Sequence, residues 1–218
     1  LISHEHLPRC MAGGLRRLAM TLSQLPKHPQ NSVELEQYST EGDFAARWIS
    51  AIVEAGDLNS ESKIVDLGAG NGVLGIGLLL AGCAHATLLE IDEEAASRAS
   101  EGLTTLNLNE RADLLVQDLT NWKQWPEHLN CDLVIMNPPW GFQKAKADRP
   151  FLELAFSSPA KSIHLLHSAS ATHPPALAKE LGWRGEVLLE GTFRLPANFE
   201  HHKQGIAETA VKCWRFVR

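Results

Sequence analysis

Cysteine is scarce and unpaired in this chain. Four occur in 218 residues (Cys10, Cys83, Cys131 and Cys213), with no C-x-x-C spacing. A zinc centre needs paired ligands at short spacing, so no metal is expected, and the thiols read as buried or free in a reducing cytoplasm. Long apolar runs are missing too: Val73 to Ala86 is too short for a membrane span and carries glycines and His85. Nor is there an excess of positive charge. A formal charge of −6 and a pI of about 5.9 argue against a nonspecific nucleic-acid binder, though not against one basic face. No secretory signal, internal repeat or low-complexity tract is visible. The chain opens on Leu1, and Met11 reads as a natural start. What remains, with 44% hydrophobic residues, is a chain able to bury a large core without disulfides or metals.

The strongest feature is Asn137-Pro138-Pro139-Trp140, directly after the apolar run from Asp132 to Met136. Two prolines end a strand, because proline lacks an N–H and fixes φ. Carbonyls at such a break can face a cleft, beside an amide and an indole. That set suits an amino group on a flat ring: two acceptors for its N–H groups and an aromatic face. Upstream, Val65 to Gly75 reads as a strand, a loop with Gly68, Gly70 and Gly72, and a helix. The loop fits G-x-G-x-x-G, a spacing that by itself does not choose a cofactor. Two acids narrow it. Glu90 ends the second strand, where a carboxylate can accept from both ribose hydroxyls, and Asp118 ends the third, where it can take an adenine amino group. A nicotinamide enzyme would use the first acid but has no need of Asn-Pro-Pro-aromatic. Each acid is also an ordinary helix cap.

Alternating short apolar runs and helical segments predict right-handed crossovers. The expected strands are 63–67, 86–90, 112–116, 131–136 and 163–167, with helices 73–82, 93–106, 152–156 and 176–181 and earlier helices over 14–25 and 44–54. Residues 185–192 and 207–217 read as an antiparallel pair closing one edge. The fold class is therefore α/β, Rossmann-like, with a mostly parallel seven-stranded sheet and helices on both faces. Residues 1–32 form an extension and 33–218 the main domain. His164 and His167, three apart on a strand, face opposite sides and make a poor metal pair. Trp48, Trp122, Trp125, Trp183 and Trp214 read as packing residues; only Trp140 has a motif behind it. Loops 141–150 and 196–205 are expected to be mobile and near the pocket.

In this order, Asp-x-Gly-x-Gly-x-Gly, Glu90, Asp118 and Asn-Pro-Pro-Trp resemble the amino-methyltransferases that use S-adenosylmethionine. Leu35-Glu36-Gln37-Tyr38-Ser39-Thr40, Phe193-Arg194-Leu195-Pro196-Ala197-Asn198-Phe199 through Lys203, and Ile163 to Ser168 resemble, more narrowly, the archaeal and eukaryotic family that N6-methylates an adenosine of small-subunit ribosomal RNA. The chain departs from that family's pattern at Ser39 (usually Pro), Trp140 (usually Phe) and Glu90 (usually Asp). The resemblance implies a class I methyltransferase domain. It implies a cofactor held by Gln37, Thr40, Asp66, Gly68, Gly70, Gly72, Glu90, Ile91, Asp118, Leu119 and Asn137, and catalysis by Asn137, Pro138, Pro139 and Trp140, the indole stacking on a base rotated out of its strand. Lys144, Lys146, Arg149, His202 and Lys203 are candidate RNA contacts. A small zinc-binding activator protein pairing along a sheet edge is implied as a partner. A protein glutamine, guanine N2 and DNA adenine remain alternative acceptors, and a scaffold that has lost turnover is the reading outside catalysis.

Overall fold

β1 (Lys63–Leu67) and β4 (Leu133–Met136) run side by side through the sheet and are almost unbroken apolar runs, because both of their faces are covered. They belong to a computed structural model that describes residues 14–27, 40–140, 146–195 and 207–218. Around them lie β2 (His85–Glu90), β3 (Ala112–Val116), β5 (Ser162–Ser168), β6 (Arg184–Leu195) and β7 (Ala207–Val217). The order is β3-β2-β1-β4-β5-β7-β6, parallel except where β7 runs antiparallel between β5 and β6. From β1 the chain steps outward to β2 and β3, then crosses back to β4. That reversal opens a crevice at the carboxyl ends of β1 and β4, where ligands bind in open α/β sheets.

One face carries α1 (Gly14–Ser23), α2 (Gly42–Glu54), α3 (Val73–Ala81) and α4 (Glu93–Thr105); the other carries α5 (Arg149–Phe156) and α6 (His173–Glu180). Successive β1 residues serve opposite cores: Ile64 belongs to the core that holds Ile49 and Leu78, whereas Val65 belongs to the one that holds Leu152 and Phe156. α3 is buried almost all round, as its apolar composition requires. Leu18, Leu22 and Leu25 join the same core, so the described part of the expected extension is packed against the domain. Trp48, Trp125 and Trp183 are buried, and Trp122 and Trp214 pack against the second core.

Some boundaries moved. α6 starts at His173, with Pro174 and Pro175 inside its first turn rather than before it, and α5 starts at Arg149 with Pro150 likewise placed. First-turn N–H groups have no helical partner, so proline costs nothing there. β4 begins two residues later than expected, although Asp132 still donates to the Lys63 carbonyl at 2.7 Å. β6 runs longer and carries a register shift between Val187 and Leu189.

Candidate active site

The registers Leu67↔Leu89 and Leu67↔Met136 fix the site. Because these strands are parallel neighbours, Glu90, Gly68 and Asn137 leave the sheet in one row, with strands about 4.8 Å apart. Gly68, Gly70 and Gly72 have φ of 73°, 57° and 79°, a region that favours glycine. Gly68 and Ala69 both donate to the Leu89 carbonyl at 2.9 Å, which ties the loop to β2. A side chain at Gly72 would also press on Ala99, Ile76 and Leu88, each 3.1 Å from its first carbon.

Asp66 does not face a ligand. It is fully buried beneath the loop, with Oδ2 accepting from the Gly75 N–H at 2.8 Å and Oδ1 unpartnered among the described residues. Burial raises its pKa, the Gly75 N–H opposes this, and the Glu90 charge adds to it, leaving a value of about 7. Asp66 thus anchors α3 from beneath the loop. Since its folded pKa lies above the unfolded 3.8, folding binds a proton between those values and stability falls as pH rises through that window. Asp66→Asn keeps an acceptor for Gly75 and cannot titrate. In urea melts from pH 4.5 to 7, wild type should lose up to about 1.4 kcal/mol per pH unit relative to Asp66→Asn. Parallel curves would assign the proton elsewhere.

Glu90 stands where expected and Asp118 two residues past β3, with different partners. Glu90 Oε1 accepts from the Ile91 and Asp92 N–H groups at 2.9 Å each, and Oε2 from Gly70 N–H at 2.7 Å. Both lone pairs of Oε1 are therefore taken, and the expected clasp of two ribose hydroxyls by an open carboxylate is not the arrangement present. The longer glutamate arm reaches across to the glycine loop. One lone pair remains on Oε2. Asp118 caps a short 3-10 turn: Oδ1 accepts from the Thr120 N–H at 2.9 Å and its hydroxyl at 2.6 Å, and Oδ2 from Asn121 Nδ2 at 3.1 Å. Ile91 is half exposed beside Glu90, and Leu119 is buried.

Asn137 is held at both ends. Its Nδ2 donates to Thr40 Oγ1 at 3.3 Å, and its Oδ1 accepts from Trp140 Nε1 at 3.2 Å. An indole nitrogen can only donate, so it must face the amide oxygen, and this fixes the amide's orientation. Thr40 is buried with its hydroxyl on the Asn137 amide. Trp140 departs most from expectation. Its residue is 8% exposed, with the ring stacked on His167 (centroids 5.8 Å, planes 26° apart) and tilted against Phe193 (5.8 Å, 56°). A large aromatic face gains more from such partners than from water, and its N–H is satisfied by Asn137. It is therefore no open stacking platform; it is the wall that orients Asn137. Pro138 is buried, while Asn137, Pro139, Gly68 and Gly70 remain partly exposed along the crevice.

Lys146 and Arg149 are exposed at the approach to α5, and Arg149 pairs with Glu153 at 2.7 Å. Gln37, Lys144, His202 and Lys203 lie outside the described residues. His164 and His167 meet different carboxylates, Asp57 and Asp148. Asp148, His167 and Phe193 border the motif without having been singled out as site residues. The one available signal was an acid, Asp148, lying between the cations Lys146 and Arg149.

The chain's donor set fits S-adenosylmethionine. Exposed Ile91 offers an apolar face for a purine, Asp118 Oδ2 retains acceptor capacity for an amino group, Glu90 Oε2 retains one for a ribose hydroxyl, and backbone is open at Gly68 and Gly70.

A family model described as the methyltransferase small domain matches residues 40–163. An uncharacterized protein of Methanocaldococcus jannaschii is 31% identical over 93% of this chain and 94% of its own length. A Drosophila melanogaster protein named rRNA N(6)-adenosine-methyltransferase Mettl5 is also 31% identical, over 93% of this chain and 95% of its own. The crystal structure of the Pyrococcus horikoshii protein PH1948 superposes with a TM-score of 0.81 at 30% identity, covering 94% of this chain and 97% of that one. With the glycine loop and the Asn-Pro-Pro-Trp corner side by side at the switch point, the chain belongs to the methyltransferase small domain family and has the class I methyltransferase fold.

Proposed function

We propose that this protein transfers a methyl group from S-adenosylmethionine to the exocyclic N6 of an adenosine in small-subunit ribosomal RNA. The observation that carries the reading is the adjacent exit of Gly68 and Asn137 from paired strands, with the Asn137 amide already oriented. The names of relatives that cover nearly the whole chain support the same acceptor.

When bound, the cofactor supplies the electrophilic methyl group of a sulfonium. Gly68 to Gly72 would accommodate its methionine part, Glu90 its ribose, and Ile91, Asp118 and Leu119 its adenine. The chain's own chemistry is positional, as suits an in-line displacement. Asn137 Oδ1, oriented by Trp140, would accept one N6 hydrogen, and the Pro138 carbonyl the other. These two acceptors draw electron density back to a nitrogen whose lone pair is spread into the ring. The amine acidifies as it is alkylated, so its proton leaves to water without a strong base. Pro139 stays on the rim. Lys146, and Arg149 once released from Glu153, would meet RNA phosphate.

β3 is one of the two outer strands of the described sheet, and Leu115 and Val116 on it are exposed. Such an edge invites pairing, which supports a small zinc-binding activator as partner. Soluble yield that rises on co-expression with such a protein would support it, and yield that does not change would count against it. A cytoplasmic location follows from the same reading. Among the described residues no helix is long and apolar enough to cross a membrane.

Labelled methyl transfer into small-subunit RNA, bulk DNA and protein, with nuclease and protease controls, tests the acceptor. Label should enter the RNA alone. Label in protein would point to a glutamine acceptor, and label in DNA to a DNA adenine.

A further inference from the structure

Asp148, His167 and His173 form a cluster beside Asn137 and Trp140 that the methyl-transfer chemistry leaves unused. Asp148, just ahead of α5, is buried, and its Oδ2 accepts from His167 Nε2 at 3.1 Å and from His173 Nε2. His167, on β5, is buried too, and its Nδ1 has no partner among the described residues. A carboxylate accepts only, so the ring nitrogen facing it, Nε2, is the donor.

One ligand atom from each of the three residues lies within 4.8 Å of the other two, a metal-like spacing. The histidine argues otherwise. A metal on Nε2 would force the proton onto Nδ1, where no acceptor waits, whereas metal-bound histidines donate that second N–H. The ring instead offers its face to Trp140 at 5.8 Å between centroids, and that indole donates to Asn137 Oδ1 at 3.2 Å. Burial works against a charge on Asp148, yet the two imidazoles outweigh it and hold the carboxylate below its usual range. His173, on α6, is the exposed end of the clasp.

We propose that Asp148, His167 and His173 are positioning residues: Asp148 locks the His167 ring, whose face holds the Trp140 indole so that its N–H keeps Asn137 Oδ1 aimed at the acceptor amine. The inference rests on the methyl-transfer reading of Asn137, but it can be tested without that chemistry.

In cofactor-free protein, the Trp140 indole N–H is followed by NMR hydrogen exchange, its signal assigned by its loss in Trp140→Phe. Exchange should quicken about ten-fold or more in His167→Ala and Asp148→Asn, yet stay within about three-fold of wild type in His167→Phe, which keeps a flat ring. In turnover, His167→Ala should lower kcat about ten-fold or more, with cofactor Kd and RNA KM within about two-fold. Asp148→Asn should cost nothing further in the His167→Phe background, because it acts through the ring it no longer holds. If His167→Ala fails to fold, His173→Ala at the exposed end should give a smaller, about two- to five-fold, rise in exchange. Unchanged exchange in the folded variants, a full Asp148→Asn loss in the His167→Phe background, or one tightly held zinc per chain overturns the proposal. Wild-type protein that methylates nothing sinks the functional reading and leaves indole exchange to decide this one.

Discussion

Asn137→Ala is expected to slow methyl transfer by about a hundred- to a thousand-fold, the usual loss when one preorganised hydrogen-bonding group is removed from reacting atoms. Cofactor affinity should stay within a few-fold. The two expectations separate because Asn137 sits at the end of β4, while the groups assigned to the cofactor project from the loop after β1 and from β2 and β3. The amide also has no freedom to turn, since Thr40 holds its nitrogen and Trp140 its oxygen. Asn137→Asp should fare little better. A carboxylate accepts from Trp140 but has no N–H for Thr40, and its charge is a poor replacement for a neutral acceptor. Turnover and calorimetric cofactor titration check this together. Near-normal turnover of Asn137→Ala would remove it from the chemistry, whereas a parallel collapse of cofactor affinity would make it a binding residue.

The second large effect concerns stability, away from the site. Asp57 follows α2 and joins it to the far half of the sheet. Its Oδ2 accepts from Arg215 Nε at 2.6 Å and His164 Nε2 at 2.8 Å, and its Oδ1 from Arg215 Nη2 at 2.6 Å. His164 is fully buried, and burial lowers its pKa, so the ring is a neutral donor here. Asp57→Ala would strand a guanidinium and an imidazole in a largely dry setting, a loss of about 3–5 kcal/mol. For a chain of this size that lowers Tm by roughly 6–20 °C. Arg215 keeps Glu186 at 2.7 Å, which sets the lower end of the range.

A pH dependence accompanies this pair. Burial pushes the Asp57 carboxyl up, but hydrogen bonds from Arg215 and His164, with the Arg215 charge, outweigh it and hold it at about 2, against 3.8 unfolded. A depressed acid stabilises above its unfolded pKa and loses that contribution as pH falls. Asp57 should therefore supply about 2 kcal/mol near neutrality that vanishes between pH 4 and pH 2. The stability gap between wild type and Asp57→Ala should narrow by about 2 kcal/mol over that interval. Curves that stay parallel would show that Arg215 is satisfied without Asp57.

Local chemistry made the fold and half of the site readable in sequence. Gly68, Gly70 and Gly72 announce a loop with positive φ; Glu90 closes β2 as expected, while Asp118 stands two residues past β3. Their hydrogen bonds were not readable. Glu90 turns to the backbone of a loop 20 residues away, a distance in sequence that no pattern records. Pro174 and Pro175 read as a break before α6 because proline stops helices; only the structure shows them in the first turn, where it does not. Trp140 shows the limit most clearly. Its motif marks an aromatic beside an amine site, but which side of the ring faces inward depends on His167 and Phe193, from strands formed much later in the chain. Asp148 went unnoticed among cations because its partners, 19 and 25 residues on, meet it only after β5 and α6 have packed.

The central claim is that an oriented Asn137, next to the glycine loop, presents an adenine amine for methylation. The most direct measurement is mass spectrometry of nucleosides from small-subunit RNA incubated with labelled cofactor and either wild-type protein or Asn137→Ala. The account predicts labelled N6-methyladenosine with wild type and at most about a hundredth as much in the same time with the variant. Label on guanine N2 with wild type, or equal N6-methyladenosine from both proteins, would contradict it.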